Sequence, residues 1–145
     1  MIALIQRVRE AEVRVAGESL GRIGPGILAL IGMVHGDSTA QGERLLQRIL
    51  GYRIFADQAG RMNCSLTQTG GGLLLVPQFT LAADTSQGLR PGFSPAAAPA
   101  LAEPLFAALL ATARAQHSPV ACGRFGADMQ VSLINDGPVT FWLQT

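Results

Sequence analysis

Hydrophobic and polar positions alternate early in the chain: Ala11, Val13 and Val15 are separated by Glu12 and Arg14. A period of two puts the apolar residues on one face of a half-buried strand. Ala16-Gly17-Glu18 reads as a turn and Leu20 to Ile23 as the returning strand, which Gly24-Pro25-Gly26 breaks. Ile27 to Val34 is a continuous apolar run, the pattern of a strand covered on both faces. A helix follows. Ser38 and Gln41 have capping-box spacing; Leu45, Leu46, Ile49 and Leu50 share one face, with Arg44, Gln47 and Arg48 off it.

Residues 57–72 read as loop, with Asp57, Gly60, Asn63 and Gly70-Gly71-Gly72. Leu73 to Val76 is a short apolar strand, and Pro77, lacking an N–H, should end its ladder or make it an edge. Residues 82–96 form a long polar loop, of a length that compact domains often give to function. A second helix is predicted from about Pro99 to Ala115, with Leu101, Leu105, Ala108, Leu109 and Thr112 as its apolar stripe. Met129, Val131 and Leu133 alternate with Gln130 and Ser132 in another strand. Asn135-Asp136-Gly137-Pro138 reads as a turn, and Val139 to Leu143 as the last strand. Strands dominate, two main helices are inserted, and no repeat or linker divides the chain. The pattern predicts one α+β domain over residues 1–145 with a mainly antiparallel, barrel-like sheet.

Composition adjusts this picture in three ways. Charged residues are only 14% of the chain, against a typical ~25%, which suits a surface partly buried in a second copy. The net charge is +1 and lysine is absent, so any nucleic acid must be read through few phosphate contacts, made by arginine. Cys64 and Cys122 form no C-x-x-C and suit buried thiols in a reducing cytosol. The first apolar run is too short for a signal-peptide core and no run approaches a membrane span, so a cytoplasmic location is expected.

Ordinary catalytic signatures are missing. His35 and His117 have no metal-ligand spacing, so neither a metal nor a cofactor is expected. There is no G-x-S-x-G elbow, although a triad can assemble across a fold, which leaves Ser65, Ser86 and Ser132 open as nucleophiles of a serine hydrolase. Two segments stand out: Pro77-Gln78-Phe79-Thr80-Leu81 and Asn135-Asp136-Gly137-Pro138-Val139-Thr140. On their residues alone they fit a strand terminus and a turn as readily as a site.

Both segments resemble motifs of the D-aminoacyl-tRNA deacylases, which carry Ser-Gln-Phe-Thr-Leu and Asn-x-Gly-Pro-x-Thr. Gln6-Arg7-Val8, Gly24-Pro25-Gly26, Arg53-Ile54-Phe55, Met62-Asn63, Gly88-Leu89-Arg90-Pro91 and Gly123 to Met129 resemble further landmarks in family order. The resemblance spans nearly the whole chain. It implies a barrel-like homodimer that hydrolyses the ester of D-aminoacyl-tRNA, and of glycine mischarged on tRNA, at the tRNA 3′ end. It implies a cis Gly137-Pro138 bond reaching into the partner's active site. There, paired carbonyls would hold the substrate ammonium and exclude an L side chain, a chiral proofreading by rejection. Arg7 would brace that loop, or is otherwise a plain surface arginine. Backbone N–H groups near Phe79 and Thr80, beside Gln78, would form an oxyanion hole. The terminal 2′-hydroxyl would help activate water in place of a side-chain nucleophile. Phe125 and Met129 would line the pocket of the terminal adenosine, or else serve the core. Pro77 stands where the family has serine. A related branch with relaxed chirality also has proline there, followed by alanine where this chain keeps Phe79. The alternative reading is therefore a noncatalytic or chirally relaxed barrel that binds aminoacyl-tRNA.

Overall fold

In the computed structural model, which describes residues 1–145, the alternation at residues 11–15 is the end of a longer strand, β1 (Ile2–Val15). Ala16 and Gly17 take positive φ (50° and 84°) and turn the chain into β2 (Glu18–Ile23). β3 (Gly26–Gly32) then pairs antiparallel with the first half of β1, from Ile2 opposite Gly32 to Val8 opposite Gly26. One edge of β1 thus carries β3 and then β2. The other carries β8 (Gln130–Gln144) from Ile2 to Arg14.

Between β3 and β6 the chain builds α1 (Thr39–Gly51), the short strands β4 (Phe55–Ala56) and β5 (Met62–Cys64), and the single turn α2 (Leu66–Thr69). This crossover is long enough to bring β6 (Gly72–Pro77) back parallel to β3. After α3 (Pro99–Gln116), β7 (Val120–Cys122) adds parallel to β6. The three pairings made by β1 are antiparallel and the two made by β6 are parallel. β2 curls toward β7, with Gly21 against Ala121 and Cys122, so the mixed sheet nearly closes.

Two apolar clusters sit on the two faces. Ile5, Ile27, Ala29, Ile31, Leu73 and Leu75 pack beneath α1 and α3, against residues that include Leu45, Ile49, Phe106 and Leu109. Val8, Val13, Ile23, Leu28, Leu74 and Val76 fill the inside of the curled sheet. β3 feeds both clusters, which explains its unbroken apolar run. At the start of α1, Ser38 N–H donates to Gln41 Oε1 (2.9 Å), as the capping-box spacing predicts. No helix is long and apolar enough to cross a membrane.

Three local expectations are corrected. The buried stripe of α3 is Ala102, Phe106, Leu109 and Ala113, while Leu101 is 62% exposed. Alanines surround this helix, so its pattern singles out no face, and burying the large Phe106 ring sets the rotation. Residues 57–72 are a hairpin and a helical turn as well as loop. Asp57 accepts from the N–H groups of Arg61 (3.0 Å) and Ala59 (2.9 Å) and from Asn63 Nδ2 (3.1 Å), which hold its carboxyl below the usual range. Strands this short carry too little pattern to be seen. The third correction concerns Asn135 to Pro138, which do not reverse the chain. Asn135 pairs with Val8 and Thr140 with Gln6, so Asp136 to Val139 bulge out opposite Arg7 within one strand. Turn-forming residues serve such a bulge as well as they serve a reversal.

Where β3 meets β6, Gly26 lies opposite Gly72, and a Cβ on Gly26 would stand 1.9 Å from the Gly72 carbonyl oxygen. Gly26→Ala must push these parallel strands apart. It is expected to cost about 2 kcal/mol or more, read as a lower melting temperature by circular dichroism. An unchanged melting temperature would refute the close pairing.

Candidate active site

The site begins where β6 runs out of partners. Leu73 N–H donates to Pro119 O (3.0 Å), Leu75 O accepts from Gly123 N–H (2.9 Å), and Gln78 N–H donates to Ile31 O (2.7 Å). Odd-numbered residues therefore face β7 and even-numbered ones face β3. An N–H at position 77 would point past Cys122, the end of β7. Proline there forgoes at most a bond at the very end of the ladder. The chain then tightens into a 3-10 turn, Phe79–Ala82, with Leu81 N–H on Gln78 O (3.3 Å) and Ala83 N–H on Thr80 O (3.1 Å). The amides of Phe79 and Thr80 open this turn, so neither finds an acceptor within it. Gln78 Nε2 donates to Thr80 Oγ1 at 2.5 Å, which turns the hydroxyl's own proton away from Gln78.

Beside this turn lies a mostly apolar cavity of about 660 Å³. Pro77, Gln78, Phe79, Phe125 and Met129 all line it, and Asp128 is its one charged wall residue. Thr80 is off the wall and joins it through Gln78. Met129 Sδ lies against Gly123 and accepts from Arg124 N–H (3.3 Å), folding residues 123–129 over the cavity. Phe125 is half-buried against the main core, so it serves packing and wall together.

Sequence reading missed other wall residues, among them Met33, Phe93 and Ala96 to Pro99. The long polar loop marked the region but carried no period to say which residue returns. Asp84 and Gly92 exchange both backbone hydrogen bonds (2.7 and 2.9 Å), and Phe93 then stacks near Phe79, with ring centroids 5.0 Å apart. The hydroxyl and amide of Ser86 hold the Asp84 carboxyl below the usual carboxylate range.

The second motif forms a separate cluster. Arg7, only 16% exposed, donates from Nε to Asp136 O (2.9 Å) and from Nη1 to Ile54 O (2.6 Å). Arg9 Nε reaches Asp136 Oδ1 (3.1 Å). Asn135 Nδ2 donates to Arg7 O (3.1 Å) and Val139 O (3.0 Å), while its Oδ1 accepts from Val139 N–H (3.0 Å). Gly137 and Pro138 project from this lacing, exposed, with a cis bond between them. This loop does not join its own chain's cavity. Gly137-Pro138 faces Arg7, whose β3 partner is Ile27; Pro77 pairs with Ile31, on the far side of β3. Strand geometry separates the two by roughly 13 Å along the strands and about 14 Å across them.

Two of the candidate serines are otherwise engaged, and the third lies on exposed strand. Ser65 caps α2 by accepting from Gln68 N–H (3.3 Å), Ser86 bonds Asp84, and Ser132 pairs with Glu12 on exposed strand. His117 places Nε2 2.7 Å from Gly71 O.

Comparison with known proteins covers the same ground. The sequence profile described as D-Tyr-tRNA(Tyr) deacylase matches residues 4–144. A "D-aminoacyl-tRNA deacylase" of Thioalkalivibrio sulfidiphilus is 67% identical over 144 residues, covering 99% of this chain and 97% of its own. One from Azotobacter vinelandii is 63% identical, covering 99% of both. Among solved structures, the "c-Myc DNA Unwinding Element Binding Protein" superposes with a TM-score of 0.95 at 36% identity, over 100% of this chain and 99% of its own. A probable eukaryotic D-amino acid tRNA deacylase shares the fold, with a TM-score of 0.86 at 16% identity over 98% and 97% of the two chains. By sequence over almost its full length, and by a fold that carries both motif segments, the chain belongs to the D-Tyr-tRNA(Tyr) deacylase family.

Proposed function

We propose that this protein hydrolyses the ester linking a D-amino acid, or mischarged glycine, to the 3′ end of tRNA, and that it works as a homodimer. Family membership supports the reaction. The observation that carries the chemistry is the pair of amides opening the 3-10 turn beside an apolar cavity. As water attacks the ester carbonyl, negative charge grows on its oxygen. The N–H groups of Phe79 and Thr80 are free to donate to that charge, and low local dielectric strengthens such bonds. Thr80 keeps its hydroxyl proton to spare because Gln78 supplies the other bond. Phe125 and Met129 offer a ring and a thioether to the terminal adenosine. No side-chain nucleophile is invoked; the substrate's own terminal 2′-hydroxyl activates the water.

The distance between the two motifs supports the dimer. Gly137-Pro138 lies far from the cavity of its own chain and is exposed. A second copy brings its loop to the first copy's cavity. Carbonyls of that loop then hold the substrate ammonium, and an L side chain would collide with the backbone. β8 also suits a partner: its outer edge pairs with no other strand of the chain, and Ile134 and Trp142 are each 51% exposed.

With metal-free protein, D-Tyr-tRNA and glycine-charged tRNA are expected to be deacylated rapidly while L-Tyr-tRNA persists. Release from neither D- nor L-Tyr-tRNA by folded protein would favour a barrel that only binds aminoacyl-tRNA, with Pro77 marking lost chemistry. Release from both would mean a relaxed chiral filter. Light scattering at micromolar concentration is expected to give twice the chain mass, and a monomer would break the cross-subunit site. At the loop itself, a Cβ on Gly137 would lie 2.5 Å from Val139 Cγ2 and 2.7 Å from Val139 N. Gly137→Ala must therefore shift the carbonyls. Its ratio of D- to L-Tyr release is expected to fall at least tenfold, the equivalent of about 1.4 kcal/mol; an unchanged ratio would remove this loop from selection.

A further inference from the structure

Phe79 and Phe93 are the one ring pair among the residues that line the cavity, and they come from different segments of the chain. Phe79 opens the turn whose amides the proposed reaction uses, yet the residue is 58% exposed. What the Phe79 ring meets is Phe93, at a centroid distance of 5.0 Å and an interplanar angle of 56°. Phe93 is held from both sides in sequence. Before it, Asp84 and Gly92 close the excursion 85–91 with two backbone bonds. After it, Ala96 N–H donates to Phe93 O (3.0 Å), Pro95 O accepts from His35 N–H (3.1 Å), and Ala97 N–H donates to Met33 O (3.0 Å). The ring thus stands on a stalk pinned to the segment that follows β3, the strand whose Ile31 carbonyl also anchors Gln78.

We propose that Phe93 is a positioning residue for the deacylation: its ring fixes the Phe79 ring and, through it, the opening of the 3-10 turn. The role deepens the deacylase reading and rests on it. A ring free to rotate beside the two amides would let the turn open and close between turnovers. A tilted ring pair narrows that freedom by an amount that corresponds to about a two- to tenfold effect on rate. Because the effect passes through Phe79, it belongs to kcat and leaves substrate capture alone.

The test uses D-Tyr-tRNA and the full-length protein. Phe93→Leu, which keeps apolar bulk and loses the ring, is expected to lower kcat about two- to tenfold with KM within about twofold. Phe93→Tyr should restore the rate. In a Phe79→Ala background, Phe93→Leu should have no further effect. A rise in KM at unchanged kcat would make Phe93 a substrate contact and overturn the proposal, as would additive losses in the double variant. Fluorine NMR of fluorophenylalanine-labelled protein reads the same contact without turnover. The Phe79 signal, assigned by its loss in Phe79→Leu, should move in Phe93→Leu. If wild-type protein is inactive, the deacylase reading fails by itself; an unmoved Phe79 signal defeats this inference whatever the activity.

Discussion

Four residues of β8 face a single residue of β1, and much of the molecule's functional geometry descends from that mismatch. Asn135 and Thr140 hold register with Val8 and Gln6, so Asp136 to Val139 have nowhere to lie in the ladder. A backbone forced out of a sheet loses its hydrogen-bond partners, and leaving them unmet is costly. Here the side chains of Arg7 and Asn135 supply replacements. Both grow from the strands on either side of the gap, so the loop is fixed by the sheet itself. Arg7 also spends a guanidinium N–H on Ile54, tying the loop to the segment that leads from α1 to β4. A loop laced in this way can present backbone carbonyls in one orientation, which a rejection filter requires.

The same register keeps the two motifs apart within one chain. Parallel pairing of β3 and β6 carries Pro77 to the end of the sheet, while the bulge sits near its middle. A single copy therefore has the cavity and the projecting loop without their meeting. The proposed homodimer would resolve this without new elements, because a twofold arrangement supplies each cavity with the other's loop. The low charge and the apolar residues exposed on β8 are consistent with the same arrangement.

How much of this was legible in the sequence depended on how local the cause was. The hairpin at Ala16-Gly17, the cap at Ser38 and the stop at Pro77 are each set by a few adjacent residues, and each was readable. The two motif segments stood out, and five residues singled out from sequence surround one cavity. Phe93 did not stand out, because its importance comes from a bridge between Asp84 and Gly92 that no periodicity announces. The stripe of α3 was misjudged by one position because alanine fits every face. The Asn-Asp-Gly-Pro segment was read as a reversal because bulges and turns draw on the same residues, and only the long-range register of β1 decides between them.

The proline at position 77 follows from these same constraints. A serine there would offer a hydroxyl and an amide. The amide would lie at the very end of the β7 pairing, whose last paired residue is Cys122. The hydroxyl would matter only if the reaction drew its nucleophile or its proton from a side chain. In the proposed mechanism the charge is met by the amides at Phe79 and Thr80, and those depend on the turn that follows. Proline at the entrance fixes φ and so narrows the approach to that turn without removing any donor it uses. What the position needs is a backbone that stops being strand, and proline ends a strand more decisively than serine. The proposed chiral filter lies elsewhere, in a loop four residues along the sheet and on the far side of β1. In the proposed cross-subunit site, a substitution at 77 would reach selectivity only by moving the ester carbonyl relative to the partner's loop. Phe79, beside it and packed on Phe93, would oppose that movement.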